Sequence, residues 1–162
     1  MEKIILSLGS NLGDRQNNLH KACKLIESRL GLIEHKSKIY ETEPWGFDST
    51  NQFLNQVVSF NSNESAQVIM EILLSIEKEM GRVRNQERYS SRIIDIDVLF
   101  VGQQIIKNEI IEAPHPRLHE RKFVLVPLYD IAPDFVHPIL NKTVLDLLND
   151  CRDGLKVTVY KE

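Results

Sequence analysis

The apolar positions of this chain change rhythm from segment to segment, and the rhythm predicts the elements. "KIILSLG" (3–9) is a short apolar run ending in glycine, which predicts an opening strand. After the turn "SNLGD", Leu19, Cys23, Ile26 and Leu30 recur at helical spacing and Gly31 closes the helix. "EHKSKIYETE" and "FLNQVVSFNS" read as a second and a third strand, separated by "PWGFDSTNQ", a loop of turn formers. Ser65 stands where an N-cap belongs. Val68, Ile69, Ile72, Leu73, Ile76 and Met80 follow as a broad helical stripe that stops at Gly81. A fourth strand lies within "SSRIIDIDVLFVG" (90–102), and "VGQQI" predicts a turn that returns a hairpin partner to it.

The order β-α-β-β-α-β predicts an α+β fold of ferredoxin-like type, an antiparallel sheet with helices packed on it. The last third of the chain extends that core at its C-terminal end. It carries proline-rich loops, helical pieces near 118–131 and 143–151, and a final strand, "KVTVY". No repeat, low-complexity tract or linker divides the sequence, so 1–162 is read as one domain.

Composition narrows the classes of function. Hydrophobic residues make up 42% and charged residues 27%, the balance of a chain that can bury its own core. The formal net charge of −3 argues against a general nucleic-acid or membrane-surface binder, which would carry a basic excess. The first apolar run is too short for a signal peptide, and no stretch approaches the ~20 apolar residues of a membrane span. Cys23 and Cys151 stand far apart and in no C-x-x-C pattern, which points to free thiols rather than a disulfide. The expectation is a cytoplasmic monomer.

The fourth strand contains a chemical anomaly. Residues two apart on a strand face the same way, about 6.6–6.8 Å apart along it, so Asp95 and Asp97 share a face. Ile94, Ile96, Val98 and Phe100 are expected on the other, with Leu99 and Val101 continuing the acid face. Two ionised carboxylates at that spacing repel by roughly 2–3 kcal/mol at an effective dielectric near 20. A solvated face would screen them. A hard divalent cation such as Mg²⁺ would bind them, since it takes one or two carboxylates together with substrate phosphates.

The neighbours of the acids favour the second reading. "GRVRNQERYSSR" brings Arg82, Arg84, Arg88 and Arg92 just upstream, and the planar guanidinium suits phosphate oxygens. Downstream, "APHPRLHERKF" adds His115, Arg117, His119 and Arg121. His115 and His119 have zinc spacing on a helix, but Pro116 intervenes and no third ligand is evident. Cations beside a carboxylate-held metal are what phosphoryl transfer uses, because its catalysis is mainly positioning and charge stabilisation. "GSNLGDR" (9–15) lacks the Gly-Lys-Ser/Thr ending of a phosphate loop, and Asp14 would repel an anion there, so it reads as a turn that caps a helix. "ETEPWGFDSTNQFLNQ" sets Trp45, Phe47 and Phe53 beside Thr42 and Asn55. That combination suits a flat heteroaromatic ligand stacked between rings, its edge read by an amide.

Taken in order, "GSN", "ETEPWG", "FLNQVV", "IEKEMGRVR", "R-x-x-D-I-D-V-L" and "APHPRLHERKFVLVPL" resemble the 6-hydroxymethyl-7,8-dihydropterin pyrophosphokinases, from about residue 4 to 137. The resemblance implies transfer of a pyrophosphoryl group from ATP to the pterin hydroxymethyl in folate biosynthesis. It also implies catalytic roles for Arg82, Arg92, Asp95 and Asp97, the two acids holding two Mg²⁺ ions. Glu77, Arg84, His115 and Arg121 would serve the nucleotide. Thr42, Glu43, Trp45, Phe53, Asn55 and Phe123 would form the pterin slot. Three departures stand out: Tyr89 occupies a frequent tryptophan position with Ser90 and Ser91 after it, Leu74 a frequent glutamine position, and Phe53 a frequent tyrosine position. A ferredoxin-like RNA-binding module is the rival from another class, but "DID" on its binding strand would repel a phosphate backbone. A different Mg²⁺-dependent phosphotransferase or nuclease is the second rival.

Overall fold

The strand β1 (Glu2–Ser10) is the centre from which the rest is placed. The structure, a computed structural model, describes residues 1–42, 52–81 and 93–161. Helix α1 (Arg15–Arg29) follows, its first turn capped by the Asp14 carboxylate, which accepts from the Asn17 N–H. The segment expected as one second strand is two short ones, β2 (His35–Lys36) and β3 (Tyr40–Thr42), both paired with β4 (Phe53–Ser62). Ser37 interrupts them: its hydroxyl accepts from the Val57 N–H at 2.9 Å, taking a donor of β4 with a side chain.

Helix α2 (Ala66–Glu79) starts on the Ser65 hydroxyl as expected, and β5 (Asp95–Val101) follows it. Then come β6 (Ile106–Lys107), β7 (Glu112–Ala113), a short 3-10 turn at Leu118–Glu120, α3 (Lys122–Ile131), α4 (Val144–Asp150) and β8 (Val157–Val159).

The main sheet runs β5-β1-β4-β3-β8, with every neighbouring pair antiparallel. It divides the core in two. On one side Ile4, Leu6 and Leu8 of β1 pack with Leu19 and Ile26 of α1 and Leu73 and Ile76 of α2. On the other, Ile5, Val57, Leu99 and Phe100 pack under Val124, Leu125 and Leu128 of α3.

Two expectations about β5 are corrected. The "VGQQI" turn does not bring back a partner for it, because β6 pairs with β7 instead. The outer edge of β5 is already occupied: the Glu77 carboxylate accepts from the Ile96 N–H at 2.8 Å, and the Leu99 carbonyl accepts from the His115 N–H at 3.0 Å. The alternation of faces also breaks. Leu6 stands opposite Val98 while Ile5 stands opposite Phe100, so Leu99 is an extra residue in a β-bulge. The phase of the strand slips there. Phe100 joins Leu99 under α3, and Val101 turns to the α1/α2 side, the reverse of the expected assignment for both.

Among the described residues no helix is long and apolar enough to cross a membrane. Cys23 and Cys151 are free.

Candidate active site

Register decides which side chains meet. Asp97 lies opposite Ser7 and Asp95 opposite Gly9; Gly9 lies opposite Asn55 on its other side, and Asn55 opposite Tyr40. Thr42 pairs with Phe53 two rungs further on. Strand alternation puts all of these on the face that carries α3. One continuous strip therefore runs across four strands, from the two acids, over Ser7 and Gly9, to Asn55, Thr42 and Phe53.

Gly9 is the shelf of this strip. A Cβ there would stand 3.2 Å from Asn55 Oδ1, crowding the amide, and 3.6 Å from Phe53 Cδ1, in ordinary contact with the ring. Asn55 is buried, and its Nδ2 donates to the Thr42 hydroxyl at 2.8 Å. That bond fixes the orientation of the amide and leaves its oxygen lying over Gly9. The strip is closed at one side by Tyr40, whose hydroxyl donates to Asp130 of α3 at 2.8 Å. Burial, then Asp130, pushes the Tyr40 phenol up to about 12, so it stays a donor.

Helix α3 supplies the roof. Arg121 precedes its first residue and Phe123 lies in its first turn, with the guanidinium 5.8 Å from the Phe123 ring centroid. His115 enters through the Leu99 carbonyl contact. Its Nδ1 accepts from the Arg117 N–H at 3.1 Å, which places the ring proton on Nε2. Burial, reinforced by Arg121 and Arg117 and opposed by Asp95, holds this imidazole down at about 4, so it is neutral near pH 7.

Of the residues singled out in the sequence, Thr42, Phe53, Asn55, Asp95 and Asp97 come together on one sheet face, with Arg121, Phe123 and His115 on the same side. Glu77 stands apart. It is 2% exposed at the end of α2, and its carboxylate holds the backbone between the two acids. Glu43, Trp45, Arg82, Arg84 and Arg92 lie outside the described residues, as do Tyr89, Ser90 and Ser91. Ser7, Gly9 and Tyr40 were not singled out. In sequence, Ser7 and Gly9 look like breaks in an apolar run, and only the register shows that both face the acids and the amide.

Among the described residues the molecule has a mixed α/β fold with an antiparallel sheet and four α-helices. Solved structures share it: the wild-type HPPK-DHPS of Plasmodium falciparum matches with a TM-score of 0.73 at 20% identity, over 91% of this chain and 44% of that one. This chain thus spans under half of that protein, and the likeness carries the fold alone. Sequence carries the family. The 7,8-dihydro-6-hydroxymethylpterin-pyrophosphokinase (HPPK) pattern matches residues 5–133. The 2-amino-4-hydroxy-6-hydroxymethyldihydropteridine pyrophosphokinase of Porphyromonas gingivalis is 43% identical over 85% of this chain and 95% of its own length. The enzyme of that name from Aquifex aeolicus is 37% identical over 88% of each. The chain belongs to the 7,8-dihydro-6-hydroxymethylpterin-pyrophosphokinase family.

Proposed function

We infer that this chain transfers a pyrophosphoryl group from ATP to the hydroxymethyl group of 6-hydroxymethyl-7,8-dihydropterin, releasing AMP, as a step of folate biosynthesis. The observation that carries the reading to particular residues is the continuous strip from Asp95 and Asp97 to Asn55, Thr42 and Phe53. It sets an acid pair and a flat, amide-edged slot side by side. The reaction needs that adjacency, because the acceptor hydroxyl must approach the β-phosphorus of ATP.

The donor set fits Mg²⁺. Among the described residues no group of three or more His, Cys, Asp or Glu could hold a metal. Two carboxylates on one strand face match an ion that completes its shell with phosphate oxygens and water. Asp95 and Asp97 would hold two such ions, which when bound neutralise phosphate charge and favour ionisation of the attacking hydroxyl. Asn55 and Thr42 read the pterin edge, and Phe53 and Phe123 stack on its faces. His115 acts as a neutral Nε2–H donor to the nucleotide, and Arg121 as a fixed positive charge. Arg82, Arg84 and Arg92 complete the charge on the phosphate side, and Glu43 and Trp45 complete the slot. The order β5-β1-β4-β3 supports a ferredoxin-like core to which β8 is added, and the shared sheet between the two apolar layers supports one domain, 1–162.

The test is AMP formation from ATP, with and without the hydroxymethylpterin. AMP should appear only with both substrates present, and chelation of divalent cations should stop it. Asp97→Ala should fold normally yet lower the rate by about 10³-fold or more, the scale of losing electrostatic support at a transferring phosphoryl group. Near-normal AMP release by that variant would remove the metal-ligand assignment. AMP release that ignores the pterin would remove the acceptor.

A further inference from the structure

Arg15 opens α1 on the face of the sheet opposite the acid pair, and nothing in the transfer described above uses it. Its contacts are nevertheless aimed at the pterin slot. Nη1 donates to Glu41 Oε2 at 2.7 Å and to the Gln52 carbonyl at 2.9 Å. Glu41 immediately precedes Thr42, and Gln52 immediately precedes Phe53. Among the described residues Thr42 and Phe53 form the outermost rung of the β3–β4 ladder, and Thr42 is also the acceptor that orients Asn55. The guanidinium lies 5.7 Å from the Tyr160 ring centroid, so the residue after β8 holds it from a further side.

We propose that Arg15 is a positioning residue for the pterin slot, holding the Thr42–Phe53 rung closed from behind the sheet. The proposal rests on the assignment of that slot to the pterin. β3 has only three residues, and the end of a short ladder frays before its middle does. One nitrogen with two hydrogens spanning Glu41 and Gln52 ties the two strands where the ladder would otherwise open. Alternation sends Glu41 to the α1 face while Tyr40 and Thr42 face α3. Arg15 therefore has no route to the ligand itself and acts through the backbone of the rung.

Such a residue sets the spacing between Thr42, Asn55 and Phe53 and leaves the acids, His115 and Arg121 alone. Loss of the clamp should weaken the pterin and spare ATP. A contact that merely stabilised the fold would lower the melting temperature without separating the two substrates. Lysine keeps the charge and carries three N–H donors on one nitrogen, but its flexible stem lacks the pre-organised planar head that lies against Tyr160, so it should rescue only in part.

The experiment measures KM for each substrate, and pterin affinity by calorimetry, in wild type, Arg15→Ala, Arg15→Lys and Glu41→Gln. Arg15→Ala should raise the pterin KM and Kd about fivefold, the scale of one partly exposed charge-assisted contact, while the ATP KM stays within about twofold. Arg15→Lys should fall between Ala and wild type, and Glu41→Gln should move the pterin KM in the same direction. An unchanged pterin KM in Arg15→Ala, or an equal rise for both substrates, overturns the proposal. If Arg15→Ala fails to fold, Arg15→Lys and Glu41→Gln decide by the same criterion. Wild type separates the two levels of inference. Failure of wild type to bind the pterin sinks the functional assignment, whereas normal wild-type binding matched by the variants sinks only the role of Arg15.

Discussion

His115 has no free lone pair at Nδ1, because the Arg117 N–H occupies it, and protonation there would break that bond inside a buried setting. Its folded value near 4 lies below the ordinary 6.5, so the unfolded chain binds the extra proton more readily. By linkage, its contribution to stability is complete above pH 6.5 and fades as pH falls toward 4, by up to about 3 kcal/mol. His137, also held down by burial and then by His119, adds a term of the same sign. Urea titrations at pH 7 and pH 4.5 should show a larger loss for wild type than for His115→Gln, and equal losses would contradict the assignment. At this scale the sequence marks its out-of-place polar residues clearly. Asp95, Asp97, Asn55 and His115 are polar residues in apolar or proline-bound settings, and the structure gives each a defined place. It was silent about Ser7, Gly9 and Arg15. A serine, a glycine and a helix-opening arginine are ordinary alone and acquire meaning only from what the register sets opposite them.

At the scale of elements, β5 is held by β1 along its inner edge, by Glu77 at Ile96, and by the His115 segment at Leu99. The contact at Ile96 falls between Asp95 and Asp97. Glu77→Ala leaves a buried donor without this acceptor and should cost about 1–3 kcal/mol. Glu77→Gln retains an acceptor oxygen and should cost less. Denaturant midpoints check the order, and a variant order of Gln below Ala would contradict it. The main elements were legible, since apolar spacing and the caps at Asp14 and Ser65 mark their starts. The split into β2 and β3 and the slip at Leu99 were not. Both coincide with tertiary hydrogen bonds, at Ser37 and at the Leu99 carbonyl, which leave no local pattern.

At the scale of the molecule, the chain beyond residue 133 lies outside the family match yet reaches the site from two directions. β8 pairs with β3 and covers an edge that would otherwise be open beside the Thr42–Phe53 rung. Asp153 Oδ2 accepts from the Lys122 N–H at 3.1 Å, at the start of the helix that carries Phe123. Arg121, in the N-cap position there, makes no side-chain cap of its own. Asp153 thus serves as a cap from a distance. Asp153→Ala should lower stability by about 0.5–2 kcal/mol, a fall of roughly 2–6 °C in melting temperature. A thermal melt checks it, and an unchanged midpoint would show that the cap contributes nothing. That the C-terminal segment holds a helix and a final strand was readable from its pattern. Its use as a cap and as an edge cover was not, because both are relations between positions some thirty and more than a hundred residues apart.

The spare residue at Leu99 makes the acid strand two short runs of opposite parity. Up to Val98, odd numbers look toward the α3 face and even numbers toward α1 and α2; from Phe100 onward the rule is reversed. Anyone redesigning this strand as one regular alternation would send Val101 into the wrong layer and pull Phe100 out of its own. The proper unit of substitution is each run by itself, with the step between them left in place.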